Sequence, residues 1–146
     1  MNSTIIPGQF PYQAGQLLPQ KPPMLLAHEF LAHDNGISRI SAVLPEDGIF
    51  FDSHEGLLPE YFIEVTAQAV AATTGYEAVI AGNPVKQGLL VGVDEFFFLA
   101  EPPPSGTIEI KVQKSMGFGP IKIFSGMVSC KETVLTRGIL KVWEEE

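Results

Sequence analysis

Pro59-Glu-Tyr-Phe-Ile-Glu-Val-Thr-Ala-Gln-Ala-Val-Ala-Ala-Thr-Thr-Gly-Tyr-Glu-Ala-Val-Ile80 is the only stretch of the chain that reads as a long helix. Proline in its first turn is pre-set for helical φ, and its missing N–H costs nothing there. Such a helix is about 33 Å long. It lacks a polar face: from Tyr61 to Ala72 apolar side chains lie all the way round. A helix hydrophobic on every side is buried on every side, so a sheet must curl about it or another subunit must cover the rest.

Outward from this helix the sequence supplies the sheet. After Gly82-Asn83-Pro84 the apolar period becomes 2, with strands expected at Leu89–Leu99, Thr107–Lys114, Ile121–Ser129 and Val134–Trp143. Thr107–Lys114 is the cleanest, with Ile108, Ile110 and Val112 on one face and Glu109, Lys111 and Gln113 on the other. The connections are short enough for an antiparallel meander. Before the helix, Met24–His33 and Ile37–Leu44 form a hairpin about Asp34-Asn35-Gly36, whose residues tolerate positive φ. Residues 1–23, rich in Pro, Gly and Gln, read as a lead-in segment. The order predicts an α+β fold, one domain over 1–146, in which a bent antiparallel sheet wraps one central helix and dimerisation is expected.

Composition narrows the function classes. The chain has 146 residues with a formal net charge of -8, and only 18% of residues are charged while 45% are hydrophobic. A chain so apolar can offset its ordering entropy, which excludes disorder. No basic stripe is available to replace the counterions of a phosphate backbone, so nucleic acid is excluded as a partner. The single Cys130 permits no internal disulfide, and the N-terminus lacks the basic start and apolar run of a signal peptide. A cytoplasmic protein is expected. No apolar run approaches the roughly 18 residues of a membrane span.

Four segments resemble the hotdog-fold superfamily, and within it the beta-hydroxyacyl-(acyl carrier protein) dehydratases and their relatives associated with aryl polyene pigment synthesis. Leu17-Leu18-Pro19-Gln20-Lys21-Pro22-Pro23-Met24-Leu25-Leu26 resembles the family's opening Leu-Pro-His-Arg-x-Pro-Phe-Leu-Leu. Leu58-Pro59-x-x-x-x-Glu64-x-x-Ala67-Gln68-Ala69 is similar to the start of its central helix. Gly88–Phe98 with Pro104-Ser105-Gly106 resembles the following strand and turn, and Ile121–Trp143 the final hairpin. The resemblance implies a bent sheet around one helix and homodimers joined edge to edge. It implies a substrate that is a 3-hydroxyacyl thioester, linked to acyl carrier protein or CoA, in fatty-acid or polyene-type synthesis, and no metal or organic cofactor.

Dehydration of such a thioester needs a base for the α-proton, an acid for the departing hydroxyl and donors for the developing enolate oxygen. Carried over residue by residue, the resemblance assigns these first two roles to His54 and to Glu64 of the other subunit. An N–H at the helix start, of Glu60 or Tyr61, would serve the oxyanion, aided by the helix dipole. Gln68 lies one turn beyond Glu64 on the same face, where it can orient the carboxylate. The family's histidine stands in a His-Phe-x-x-x-Pro-x-x-Pro-Gly pattern. Here the segment reads His54-Glu55-Gly56-Leu57-Leu58-Pro59, with neither the first Pro nor the closing Gly.

That departure keeps two further readings open: a non-catalytic acyl-binding hotdog subunit, and an acyl thioesterase using a carboxylate and a water. His28 and His33 are expected to pack or face solvent, and Phe96-Phe97-Phe98 to divide between core and subunit interface. An acidic carrier would need a local basic patch, for which Lys21, Lys86, Lys111, Lys114, Lys122 and Lys131 are the candidates.

Overall fold

The computed structural model describes residues 6–84 and 88–144. Its one long helix, α1, runs Glu60–Ile80, with Pro59 in helical conformation at the N-cap. Around it lie nine strands: β1 Tyr12–Gln13, β2 Ala27–Asp34, β3 Ile37–Val43, β4 Phe51–Asp52, β5 Gly56–Leu57, β6 Gly88–Phe98, β7 Thr107–Phe118, β8 Ile121–Cys130 and β9 Thr133–Glu144. Seven of them form one antiparallel sheet in the order β1-β2-β3-β7-β8-β9-β6, and β4 pairs with β5 as a separate hairpin before the helix. This is the α+β hotdog architecture: one sheet bent about one helix.

The β2–β3 hairpin turns where the sequence places it, with Asn35 at φ 53° and Gly36 at φ 76°. Both angles are positive, the backbone requirement that Asn and Gly meet most easily. In β3, Ile40 and Ala42 point into the core while Val43 is exposed. Ile108, Ile110 and Val112 of β7 do the same against the helix. Each fully buried side chain of this size contributes about 1.5–3 kcal/mol.

Between helix and sheet the approach is close at one point. A Cβ at Gly126 of β8 would overlap the Thr66 methyl group, so glycine there lets the helix sit down on the strand. The Thr66 hydroxyl donates back to the Phe62 carbonyl (2.7 Å) and that of Thr73 to Ala69 (2.9 Å). Two polar side chains are thereby buried without orphaned donors.

Three expectations need correction. The segment before residue 23 is more than a lead-in: Tyr12, Ala14, Leu17 and Leu18 are buried, and Tyr12 packs with Phe10, Phe30 and Tyr76 in one aromatic cluster. Strand β7 continues past Lys114 to Phe118, because a bulge between Lys114 and Met116 shifts its register without ending its pairing to β8.

The third correction concerns connectivity. Only β7, β8 and β9 form a meander; β6 pairs with β9 at the far edge and β7 pairs with β3. Pro102-Pro103-Pro104 carries the chain between them. Proline offers the ladder no N–H, and its extended conformation advances about 3.1 Å per residue, enough for eight residues to cross the roughly 14 Å of two intervening strands.

The apolar excess of the sequence reaches the surface along β6. Leu89, Leu90, Val91, Val93, Phe97 and Phe98 are each between 36% and 56% exposed. An eleven-residue apolar strand with one unpaired edge is a template for pairing with another chain.

Candidate active site

The helix is not covered equally on all sides. Val65, Thr66, Ala69, Ala72, Thr73 and Tyr76 are buried, whereas Glu64, Ala67, Ala71 and Thr74 are only half-buried. These four share a stripe at helical spacing and face a cavity of about 140 Å³. Gly88 and Leu90 of β6 and Val142 of β9 wall it on the sheet side, and Gln20 borders it from the N-terminal segment. Gly88 is needed in that wall, since a Cβ there would come within 2.8 Å of Val142.

Gln68 is the fixed point of this site. Its Oε1 accepts from the N–H groups of Leu26 (2.7 Å) and Ala27 (3.1 Å), and its Nε2 donates to the Met24 carbonyl (2.7 Å) and to Glu64 Oε1 (3.2 Å). All four hydrogen-bonding positions of the amide are used, which fixes which atom is O and which is N. One Glu64 oxygen is thus held, and the other is left for the cavity. The same contacts tie residues 24–27 to the helix, just after Pro22 and Pro23, which have no N–H to donate.

Tyr61 lies elsewhere. It is fully buried beside a second cavity of about 230 Å³ lined by Leu25, Leu26, Val43 and Phe50. Its hydroxyl has no hydrogen-bond partner among the described residues, and burial pushes its pKa well above the ordinary 10.0. Its N–H donates to the Leu58 carbonyl at 3.1 Å, so it is not free for an oxyanion. Of the two expected donors, Glu60 is the one whose N–H has no such partner among the described residues.

His54 sits at the exposed tip of the β4–β5 hairpin, where Asp52 Oδ2 accepts from the N–H groups of His54 (3.1 Å) and Glu55 (2.8 Å). It does not line the Glu64 cavity. Within one chain the structure therefore brings Glu64 and Gln68 together and leaves Tyr61 and His54 apart from them.

The other candidates have structural surroundings. His33 contacts Ser38 Oγ through Nδ1 (2.8 Å) and Glu77 through Nε2 (3.5 Å), and Lys114 reaches the same Glu77 (3.6 Å). His28 is exposed. Phe96 is half-buried over Gly138, Phe98 packs edge-on to Phe62, and Phe97 lies under the Arg137 guanidinium.

Lys111 lines a groove of about 500 Å³ on the sheet face away from the helix, Lys122 donates to the Gly119 carbonyl, Lys131 sits in the β8–β9 turn, and Lys86 lies outside the described residues. Among the described residues no group of His, Cys, Asp or Glu is placed to hold a metal ion, and no helix is long and apolar enough to cross a membrane.

Sequence reasoning missed Gln20. Its Oε1 is buried, lacks a partner among the described residues, and its side chain borders the cavity beside Glu64. The available signal was its place in the Leu18-Pro19-Gln20-Lys21 stretch, quoted above only for its likeness.

Comparison with known proteins adds three findings. The model of the ApeP-like family, described as ApeP dehydratase, matches residues 12–146. No curated protein matches the chain. Among solved structures, the dehydratase heterocomplex ApeI:P from Xenorhabdus doucetiae superimposes with a TM-score of 0.78 at 22% identity over 92% of each chain. Cj0977, a sigma28-regulated virulence protein from Campylobacter jejuni, gives 0.64 at 12% identity over 88% of this chain and 82% of its own. The PaaI protein of the phenylacetic acid degradation operon of E. coli gives 0.63 at 9% identity, over 78% and 80%. At these identities the likeness is one of fold.

Proposed function

The chain belongs to the ApeP-like dehydratase family, and from that membership we propose that it is a one-domain subunit of a 3-hydroxyacyl-thioester dehydratase whose acid is Glu64. One observation carries the reading. A carboxylate stands on the uncovered stripe of an otherwise apolar helix, with one oxygen held by Gln68 and the other facing a cavity. The wall of that cavity is the free edge of the sheet, where an apolar strand awaits a partner.

In this scheme a second subunit pairs along β6. It is another copy of the chain or, as in the ApeI:P heterocomplex, a different one. Glu64 protonates the 3-hydroxyl as the C–O bond breaks. A histidine from the partner removes the α-proton, and His54 of this chain serves the partner's site in return. The Glu60 N–H and the positive helix end stabilise the enolate oxygen. Polyene or fatty-acid synthesis supplies the substrate, carried on CoA or on a carrier protein.

Water loss from 3-hydroxyacyl thioesters, CoA- and carrier-linked, is the assay. Glu64→Gln and His54→Ala should each abolish it, and activity surviving both changes would sink the assignment. A second reading rests on the exposed position of His54. In it the chain lends only its acid to an unlike partner, so that Glu64→Gln inactivates the pair and His54→Ala does not. Release of free thiol in place of an enoyl product would instead identify a thioesterase.

A further inference from the structure

Resting on the dehydratase reading, we propose that Gln20 is a substrate contact, its side-chain carbonyl accepting the hydrogen bond donated by the 3-hydroxyl and so selecting hydroxyacyl over oxoacyl thioesters. The starting point is an imbalance between two amides. Gln68 spends every hydrogen-bonding position on the protein, whereas Gln20 Oε1, also out of reach of water, has no partner among the described residues. A buried acceptor left unpaired is destabilising unless something else fills it.

What fills it is constrained by the cavity. Among the described residues Glu64 is the only titratable side chain on its lining, and the side chains of Ala67, Val70, Ala71, Leu90 and Val142 carry no polar atom. Thr74 Oγ1 already donates to the Ala71 carbonyl at 3.0 Å. A hydroxyl that receives the Glu64 proton on its oxygen still carries its own proton, and Gln20 Oε1 is the carbonyl acceptor free to take it.

The contact persists through the reaction. The α-proton passes to the base, its bonding pair becomes the new C=C, and the C–O pair leaves with the oxygen. That oxygen takes the Glu64 proton and departs as water, still donating to Gln20. A 3-oxo group has no proton to donate and gains nothing from Gln20.

The position is also rigid. Leu17 and Leu18 are buried on one side, Pro19 fixes φ, and the N–H groups of Met24 (2.8 Å) and Leu25 (3.1 Å) turn onto the Lys21 carbonyl on the other. The amide is thus presented by an anchored segment.

The test compares the wild-type assembly with Gln20→Leu and Gln20→Met, the second guarding against a misfolded first. Probes are 3-hydroxyoctanoyl-CoA as substrate and 3-oxooctanoyl-CoA as a competing ligand that cannot lose water. Removing one hydrogen bond should lower kcat/KM for the hydroxyacyl thioester about tenfold, with the inhibition constant of the oxoacyl thioester changed less than about twofold. Equal losses for both ligands, or none for either, would overturn the role of Gln20. If the wild type shows no turnover, the dehydratase reading falls. The Gln20 contact is then judged by equilibrium binding, where loss of the hydroxyacyl preference in both variants supports it and its retention refutes it.

Discussion

The two sides of α1 obey different rules. Toward β7 and β8 the helix is packed to contact, its threonine hydroxyls bonded back to its own carbonyls and Gly126 cut down to admit Thr66. Toward β6 it is underpacked, with a carboxylate and an unpartnered amide oxygen around a void. A fold gains stability by leaving nothing unpaired and gains a reaction by leaving the right atoms unpaired. Here both kinds of surroundings meet one helix, about half a turn apart.

The largest effect should come from the open side. Glu64→Gln is expected to cut turnover about 10²–10⁴-fold with no change in Tm, since Gln68 can still bond an amide oxygen. A large fall in Tm would place Glu64 among the packing residues and erase the distinction.

Gln68→Leu breaks both sides at once. It orphans the N–H groups of Leu26 and Ala27 and the carbonyl of Met24, each at about 1–3 kcal/mol. Denaturant titration should show a loss of at least about 3 kcal/mol, together with reduced turnover.

On the packed side, Gly126→Ala should cost about 1–3 kcal/mol through overpacking and lower Tm, while the folded fraction keeps its kcat. A fall in kcat at full folding would show that helix position on the sheet also sets the site.

Tyr61 tests whether the second cavity belongs to either side. Its pKa is raised by burial, so its share of stability is complete below its ordinary 10.0 and is lost as pH climbs from there toward the folded value. Tyr61→Phe should therefore flatten the loss of stability above pH 10. At neutral pH it should gain up to about 1 kcal/mol by removing an unpartnered hydroxyl. A rise in KM in this variant would support the substrate-binding role first assigned to Tyr61, through its hydroxyl and not its N–H.

The smallest effect is expected far from the helix. Arg39→Ala removes a 3.4 Å surface pair with Glu109 and should change stability by less than about 0.5 kcal/mol.

What the sequence made legible divides along the same line. The helix was readable because its apolar side chains run all the way round, although the half-buried stripe at Glu64, Ala67, Ala71 and Thr74 was not, and β3 and β7 because alternation at Ile40-Ala42 and Ile108-Ile110-Val112 is a local signal. The order of strands was not. The run of apolar residues marks β6 as a strand, and nothing in it says whether β9 or β7 will be its neighbour. Glu64 was legible as a charge in an apolar helix. Gln20 was not, because its meaning lies in the absence of a partner and in a cavity made by residues far along the chain.

The Pro102–Pro104 crossover also has a consequence in time. Chains emerge from the ribosome N-terminus first, and β6 is made before any strand it will pair with, since β9 ends the described chain. The pairing of β6 with β9 is long-range and closes late. Gly88, Leu90 and Val142 become neighbours only at that step, so the cavity beside Glu64 and the apolar edge that walls it are completed together. A nascent chain therefore cannot present a β6 edge backed by β9 before that cavity has its wall.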